Sequence, residues 1–161
     1  MKKTLAFGTL GELMVLVHAD APPTDAEWNA YTEAWEAHHH LHGRSRLLVS
    51  TGGGAPTAAQ RQRLDERVRR MGGGAARAAI LSESIFARVV ANALSAMEHA
   101  RAARVLGRLG VSSGLESSQI YRMFARTDLR RALAWLDVPT TREPEIVRSI
   151  EQLQAVIKDS G

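Results

Sequence analysis

Three residues carry the side chains of a hydrolytic set. His18 is a base, Asp20 can orient it, and Ser50 supplies a hydroxyl. No G-x-S-x-G elbow occurs to position a serine nucleophile. The His18–Asp20 pair therefore reads as the polar end of a strand, and no enzymatic activity is expected. The chain has no cysteine, which excludes disulfides, thiolate catalysis and Cys-ligated zinc. Four histidines cluster at His38, His39, His40 and His42. His38 and His42 share a face if the helix runs on, but no carboxylate completes an H-E-x-x-H pattern. Consecutive histidines at a helix C-terminus also suit its dipole when protonated. The expectation is no metal and no cofactor.

The stretch Ser50-Thr51-Gly52-Gly53-Gly54-Ala55-Pro56-Thr57 leaves a strand and enters a helix. In open α/β sheets that edge is where ligands bind. Helix N–H groups and three glycines can hold a phosphate there. The loop lacks the Lys and Ser/Thr of a P-loop and does not match G-x-G-x-x-G. The alternative reading is a flexible turn whose Thr57 is only a helix cap. Ser50, Thr51, Gly52, Gly53, Gly54 and Thr57 are the candidate ligand or phospho-switch residues.

A length of 161 residues suits one domain with a real core. The net charge of +4 permits an acidic partner. The arginines at 61, 63, 67, 69 and 70 are interleaved with Asp65 and Glu66, so they read as a solvated face. Aromatic residues make up only 5% of the chain, too few for a base-stacking surface, and nucleic acid is not an expected partner. The apolar run after Lys2 and Lys3 is broken by Gly8, Thr9, Gly11 and Glu12. It reads as neither signal peptide nor membrane span, which implies a cytoplasmic protein.

Short apolar strands alternate with amphipathic helices. Residues 3–7 and 10–19 form two strands around a turn at Gly8-Thr9, or one bent strand. Thr24 and Glu27 make a capping box after Pro22-Pro23. Trp28, Tyr31 and Trp35 then form one stripe, and Gly43 ends the helix. Residues 46–50 and 76–81 are strands. Between them Thr57 and Gln60 make a second capping box, with Leu64, Val68 and Met71 on the inner face. Asp65–Arg69 and Glu66–Arg70 are expected ion pairs outside, and Gly72, Gly73 and Gly74 end that helix. From Ser82 or Ser84 runs the strongest apolar stripe, through Ile85, Phe86, Val89, Val90, Ala93, Leu94 and Met97. Residues 84–109 fit either one helix or two, and 112–118 a loop. Residues 120–124 read as a strand. Thr127 caps a helix carrying Leu129, Leu133 and Leu136, stopped by Pro139. Thr140 and Glu143 open a last helix with Ile146, Val147, Ile150, Leu153, Val156 and Ile157 in its stripe. The order β-β-α-β-α-β-α-β-α-α predicts an α/β fold. Its sheet has four to five strands, mostly parallel, with an antiparallel edge hairpin and flanking helices.

The stretch Tyr121-Arg122-Met123-Phe124-Ala125-Arg126-Thr127-Asp128, followed by Ala132-Leu133-Ala134-Trp135-Leu136, resembles the close of STAS-like proteins of the SpoIIAA-like type. There a last strand ending in Phe leads into a helix closing on Ala-Leu-Ala-Trp-Leu. The order of elements agrees over about residues 4–137. The resemblance implies a STAS-like domain over 1–138. Residues 139–161 are then a helical extension packed on that domain or on a partner. It also implies a non-catalytic regulatory or protein-interaction module with a protein partner or homodimer. In anti-sigma factor antagonists of that family, a Ser or Thr starting the helix after a central strand is phosphorylated. The matching place is the 50–57 loop, where Ser50-Thr51-Gly52-Gly53-Gly54 stands instead of an Asp-Ser-Ser-Gly-type signature. A phosphate adds a charge of about −2 beside helix N–H groups and would change docking. The alternative is a small-ligand or nucleotide/phosphate-binding domain using the same loop.

Overall fold

The computed structural model describes residues 2–71, 76–83 and 121–161. The helix or helices expected in 84–109, the 112–118 loop and the terminating glycines 72–74 lie outside the described residues.

β-Strands buried on both sides read as unbroken apolar runs. β2 (Leu13–His18) is such a run, buried at every position, and it lies inside the sheet. It pairs antiparallel with β1 (Leu5–Leu10) and parallel with β3 (Ser45–Thr51). β4 (Ala76–Ser82) and β5 (Tyr121–Ala125) extend the parallel part, in spatial order β1-β2-β3-β4-β5. The expected mixed, mostly parallel α/β sheet is therefore present, with five strands.

The hairpin turn falls at Gly11-Glu12 rather than Gly8-Thr9. Leu10 pairs with Leu13, and Gly11 has φ 59°. Glycine with positive φ at the first of two central positions suits a type II′ turn, whose twist matches that of paired strands. Gly8 lies within β1, opposite Val15.

α1 (Asp25–His42) starts at the predicted capping box, and Gly43 closes it at φ 67°. α2 (Ala58–Arg70) starts at the second box. Gln60 has a further role there. It is 1% exposed, its side-chain amide donates to Pro23 O and Asp25 Oδ1, and its backbone carbonyl accepts from Trp28 Nε1. The starts of α1 and α2 are thus locked together. Asp65–Arg69 and Glu66–Arg70 are not in ion-pair contact among the described residues. Instead Arg63 reaches Asp25 at 2.7 Å and Arg67 reaches Glu36 at 2.5 Å, both on α1.

α3 (Leu129–Trp135) and α4 (Glu143–Asp159) do not start at Thr caps. Thr127 and Thr140 lie inside 3-10 turns, Arg126–Asp128 and Thr140–Arg142, and neither helix has a side-chain cap. A 3-10 lead-in bonds i to i+3 through the backbone, as Arg142 N does to Pro139 O at 3.0 Å. Pro144 in the first turn of α4 needs no hydrogen-bond acceptor.

Pleating sorts alternate strand residues into two cores. Leu13, Val15, Leu48, Ala79, Leu81 and Phe124 meet Leu129, Ala132, Leu133, Leu136 and Ile146 of α3 and α4. On the other face Met14, Leu16, Leu47 and Val49 meet Trp28, Tyr31 and Trp35 of α1, with Leu64, Val68 and Met71 alongside. α4 packs on the sheet of its own chain, where Ile157 joins Ala6 and Val17. Val147 and Val156, 36% and 43% exposed, lie to either side of the Ile146–Ile150–Leu153–Ile157 line. At 100° per residue that places each a quarter-turn from the buried stripe.

Candidate functional site

The carboxyl ends of β2 and β3 bring the predicted site residues to one edge. Beyond the strands, Gly52 N donates to His18 O and Gly54 N to Ala19 O, both at 3.0 Å. Gly53 N donates to Thr51 Oγ1 at 3.1 Å. The glycine loop thus continues the β2–β3 pairing for a few residues. A Cβ on Gly54 would stand 2.2 Å from Ala21 O, and Gly53 has φ 125°, so neither position accepts a side chain without strain. All three glycine N–H groups have acceptors within the chain, and an anion would have to compete for them. Thr57 Oγ1 accepts from Gln60 N, as an N-cap does.

Exposure divides the loop. Ser50 is 2% exposed, Thr51 is half-buried, and Gly53 and Thr57 are exposed. Ser50 pairs with Val17, and His18 pairs with Thr51. Adjacent strand positions point to opposite faces. Ser50 therefore faces the α3–α4 side and His18 the α1 side. The candidate base and hydroxyl are separated by the sheet itself.

His18 is 6% exposed, its ring centroid is 6.1 Å from that of Trp28, and its Nδ1 has no hydrogen-bond partner. Burial lowers its pKa to about 4, only partly opposed by the nearby Glu27 carboxylate. Glu27 itself is held at about 2: burial pushes it up, but hydrogen bonds from Thr4 and Thr24 outweigh that. Thr4 N, Thr4 Oγ1, Thr24 N and Thr24 Oγ1 all donate to this one carboxylate at 2.8–2.9 Å. The capping role was legible in the sequence. The tie to Thr4, just before β1, was not.

A cleft of about 660 Å³ opens at this edge between the β2 end and α4. Val17 and Ile157 give it an apolar floor. Lys2, Arg126, Lys158, Asp20, Gln154 and Gly52 line it. Arg126 is paired with Glu83 at 2.7 Å, whereas Lys2 and Lys158 have no ion pair among the described residues. With Arg126 neutralised by Glu83, Lys2 and Lys158 face Asp20, which leaves a modest positive excess suited to a small anion. Of this lining His18, Asp20 and Gly52 were singled out as candidate site residues by sequence, whereas residues 2, 126 and 158 converge only in the fold.

The histidine cluster lies elsewhere, at the end of α1. His38 Nε2 is 2.9 Å from Gly11 O, and His39 Nδ1 is 2.8 Å from Ser45 Oγ. Among the described residues no group of three His, Asp or Glu side chains is placed to hold a metal. No described helix is long and apolar enough to cross a membrane. Compared with family models, with curated proteins and with solved structures, the chain has no match.

Proposed function

We propose that this chain is a non-catalytic, STAS-like cytoplasmic regulatory module that binds another protein through the 50–57 loop. The observation that carries this reading is the pleat separating His18 from Ser50. The only nucleophile–base pair suggested by sequence is divided between two faces. What remains at the carboxyl edge is a hydrogen-bonded, outward-facing loop, a surface suited to docking. Of its hydroxyls Thr57 is exposed and Ser50 enclosed, so a phospho-switch in this reading acts through Thr57. The test compares affinity capture by the wild-type chain with capture by Ala55→Arg and Thr57→Asp. Ala55→Arg adds bulk at an exposed position, and Asp is itself a good N-cap. The expected result is a partner retained by the wild type and lost with either variant. Equal capture by all three, or a turnover activity abolished by His18→Gln, contradicts it.

A second reading, a small-anion-binding domain, is favoured by Lys2 and Lys158 in the cleft. Here the lysines, not the glycine amides, supply the recognition. Stabilisation by phosphate or nucleotides in a thermal-shift screen, lost in Lys158→Glu, supports it. No stabilisation by any of them removes it.

A further inference from the structure

His38 carries a buried atom that the fold does not use. The residue is 6% exposed and its Nδ1 has no hydrogen-bond partner, while its Nε2 lies 2.9 Å from Gly11 O. A carbonyl oxygen can only accept, so Nε2 bears a proton, and in the neutral ring Nδ1 is then the lone pair. A backbone carbonyl fixing the far nitrogen is the arrangement that orients metal-ligating histidines. His42 lies one turn further along α1. Helical side chains tilt toward the N-terminus, which brings its ring back over His38. The ring centroids are 4.5 Å apart with planes at 50°. Two imidazoles sharing a cation at about 2.0–2.1 Å, near right angles to one another, have centroids about 4.5–5 Å apart. His42 is half-buried, which leaves the pair open to solvent on one side. His39 takes no part, because Ser45 holds its Nδ1. Glu12, beside Gly11 on the β1–β2 turn, lies close enough to His42 to interact electrostatically. It also pairs with Arg44 and Arg46 and offsets part of their charge.

We propose that His38 Nδ1 and a ring nitrogen of His42 form a two-imidazole site for a divalent transition cation. Zn²⁺, Ni²⁺ and Cu²⁺ are the class that nitrogen ligands select, with water completing the coordination. The bound cation bridges consecutive turns at the end of α1, next to the hydrogen bond that already joins His38 to Gly11 O. The sequence argued against metal because no carboxylate completes an H-E-x-x-H pattern, but a two-imidazole site completed by water does not require one.

The test is calorimetric titration of the full untagged chain with CuCl₂, NiCl₂ and ZnCl₂ at one neutral pH, with MgCl₂ as control. The expected result is one cation per chain, tightest for Cu²⁺, and no Mg²⁺ binding. His42→Ala weakens binding about tenfold or more, and His40→Ala leaves it unchanged. His38→Gln keeps an N–H donor for Gly11 O but removes the ligand, and it weakens binding likewise. His42 is half-buried, so its variant carries the test even where His38→Gln fails to fold. No binding of any of the three cations overturns the proposal. So does wild-type affinity in His42→Ala, which places the cation elsewhere.

Discussion

Replacing Glu27 by Gln tests how the N-terminal strand is tied to α1. The carboxylate accepts four hydrogen bonds, three of them on Oε2 and one on Oε1. A Gln amide can place its oxygen at only one of these positions. Its NH₂ then faces a backbone N–H, of Thr4 or of Thr24, that has lost its acceptor. A carboxyl held at about 2 instead of 4.5 corresponds to at most about 3 kcal/mol of stability. Screening at a partly exposed site lowers this to about 2 kcal/mol. For a chain of this size that is a fall in Tm of about 4–8 °C at pH 7. The sign with pH follows from the lowered pKa. The stabilisation is complete above the unfolded value and is lost as pH falls through the folded one. By pH 3 it has dropped to roughly half or less. Thermal denaturation followed by circular dichroism, for both proteins at pH 7, 5 and 3, reads this directly. A gap below about 1 °C at pH 7, or a gap unchanged at pH 3, refutes the assignment of the stability to the ionised carboxylate.

Other expectations follow from the same contacts. His18 titrates near 4 in the fold and near 6.5 unfolded, so wild-type stability falls as pH drops from 6.5 towards 4, by about 3 kcal/mol at most. His18→Gln should flatten that slope in urea titrations, and an equal slope in both proteins contradicts it. Gly54→Ala drives a methyl group into Ala21 O and should destabilise by more than about 1 kcal/mol, read as a lowered urea midpoint. Leu133→Ala, at a fully buried position, should cost about 2–5 kcal/mol. Val156→Ala, 43% exposed on a flank of α4, should stay within about 1 kcal/mol in the same assay.

Local rules carried much of the fold. The capping boxes at Thr24 and Thr57 follow from residues three apart, and the apolar runs located the strands and their mostly parallel sheet with its antiparallel edge pair. Thr140-x-x-Glu143 has the same local pattern, yet the chain enters α4 through a 3-10 turn after Pro139. The sequence places the hairpin turn at Gly8-Thr9, whereas Gly11-Glu12 forms it. Pairing decided it, because only a turn at Gly11-Glu12 gives β1 six residues to match β2, from Leu5 opposite His18 onward. The candidate site was less legible. The 50–57 loop was found from its chemistry, but the acceptors of Gly52 N and Gly54 N lie far back in the chain, at His18 and Ala19. The separation of His18 and Ser50 depends on register, which a single residue of slip reverses. The cleft draws Lys2 and Lys158 from opposite ends of the chain, and no local pattern announces that.

Docking through the 50–57 loop is tested most directly by hydrogen-exchange protection of the described residues, measured with and without the captured partner. The account predicts added protection at 51–57 and at the adjoining 19–21 segment, and none along the exposed flank of α4 or the β1 edge. Protection confined to β1 and α4, with the loop unchanged, would contradict it.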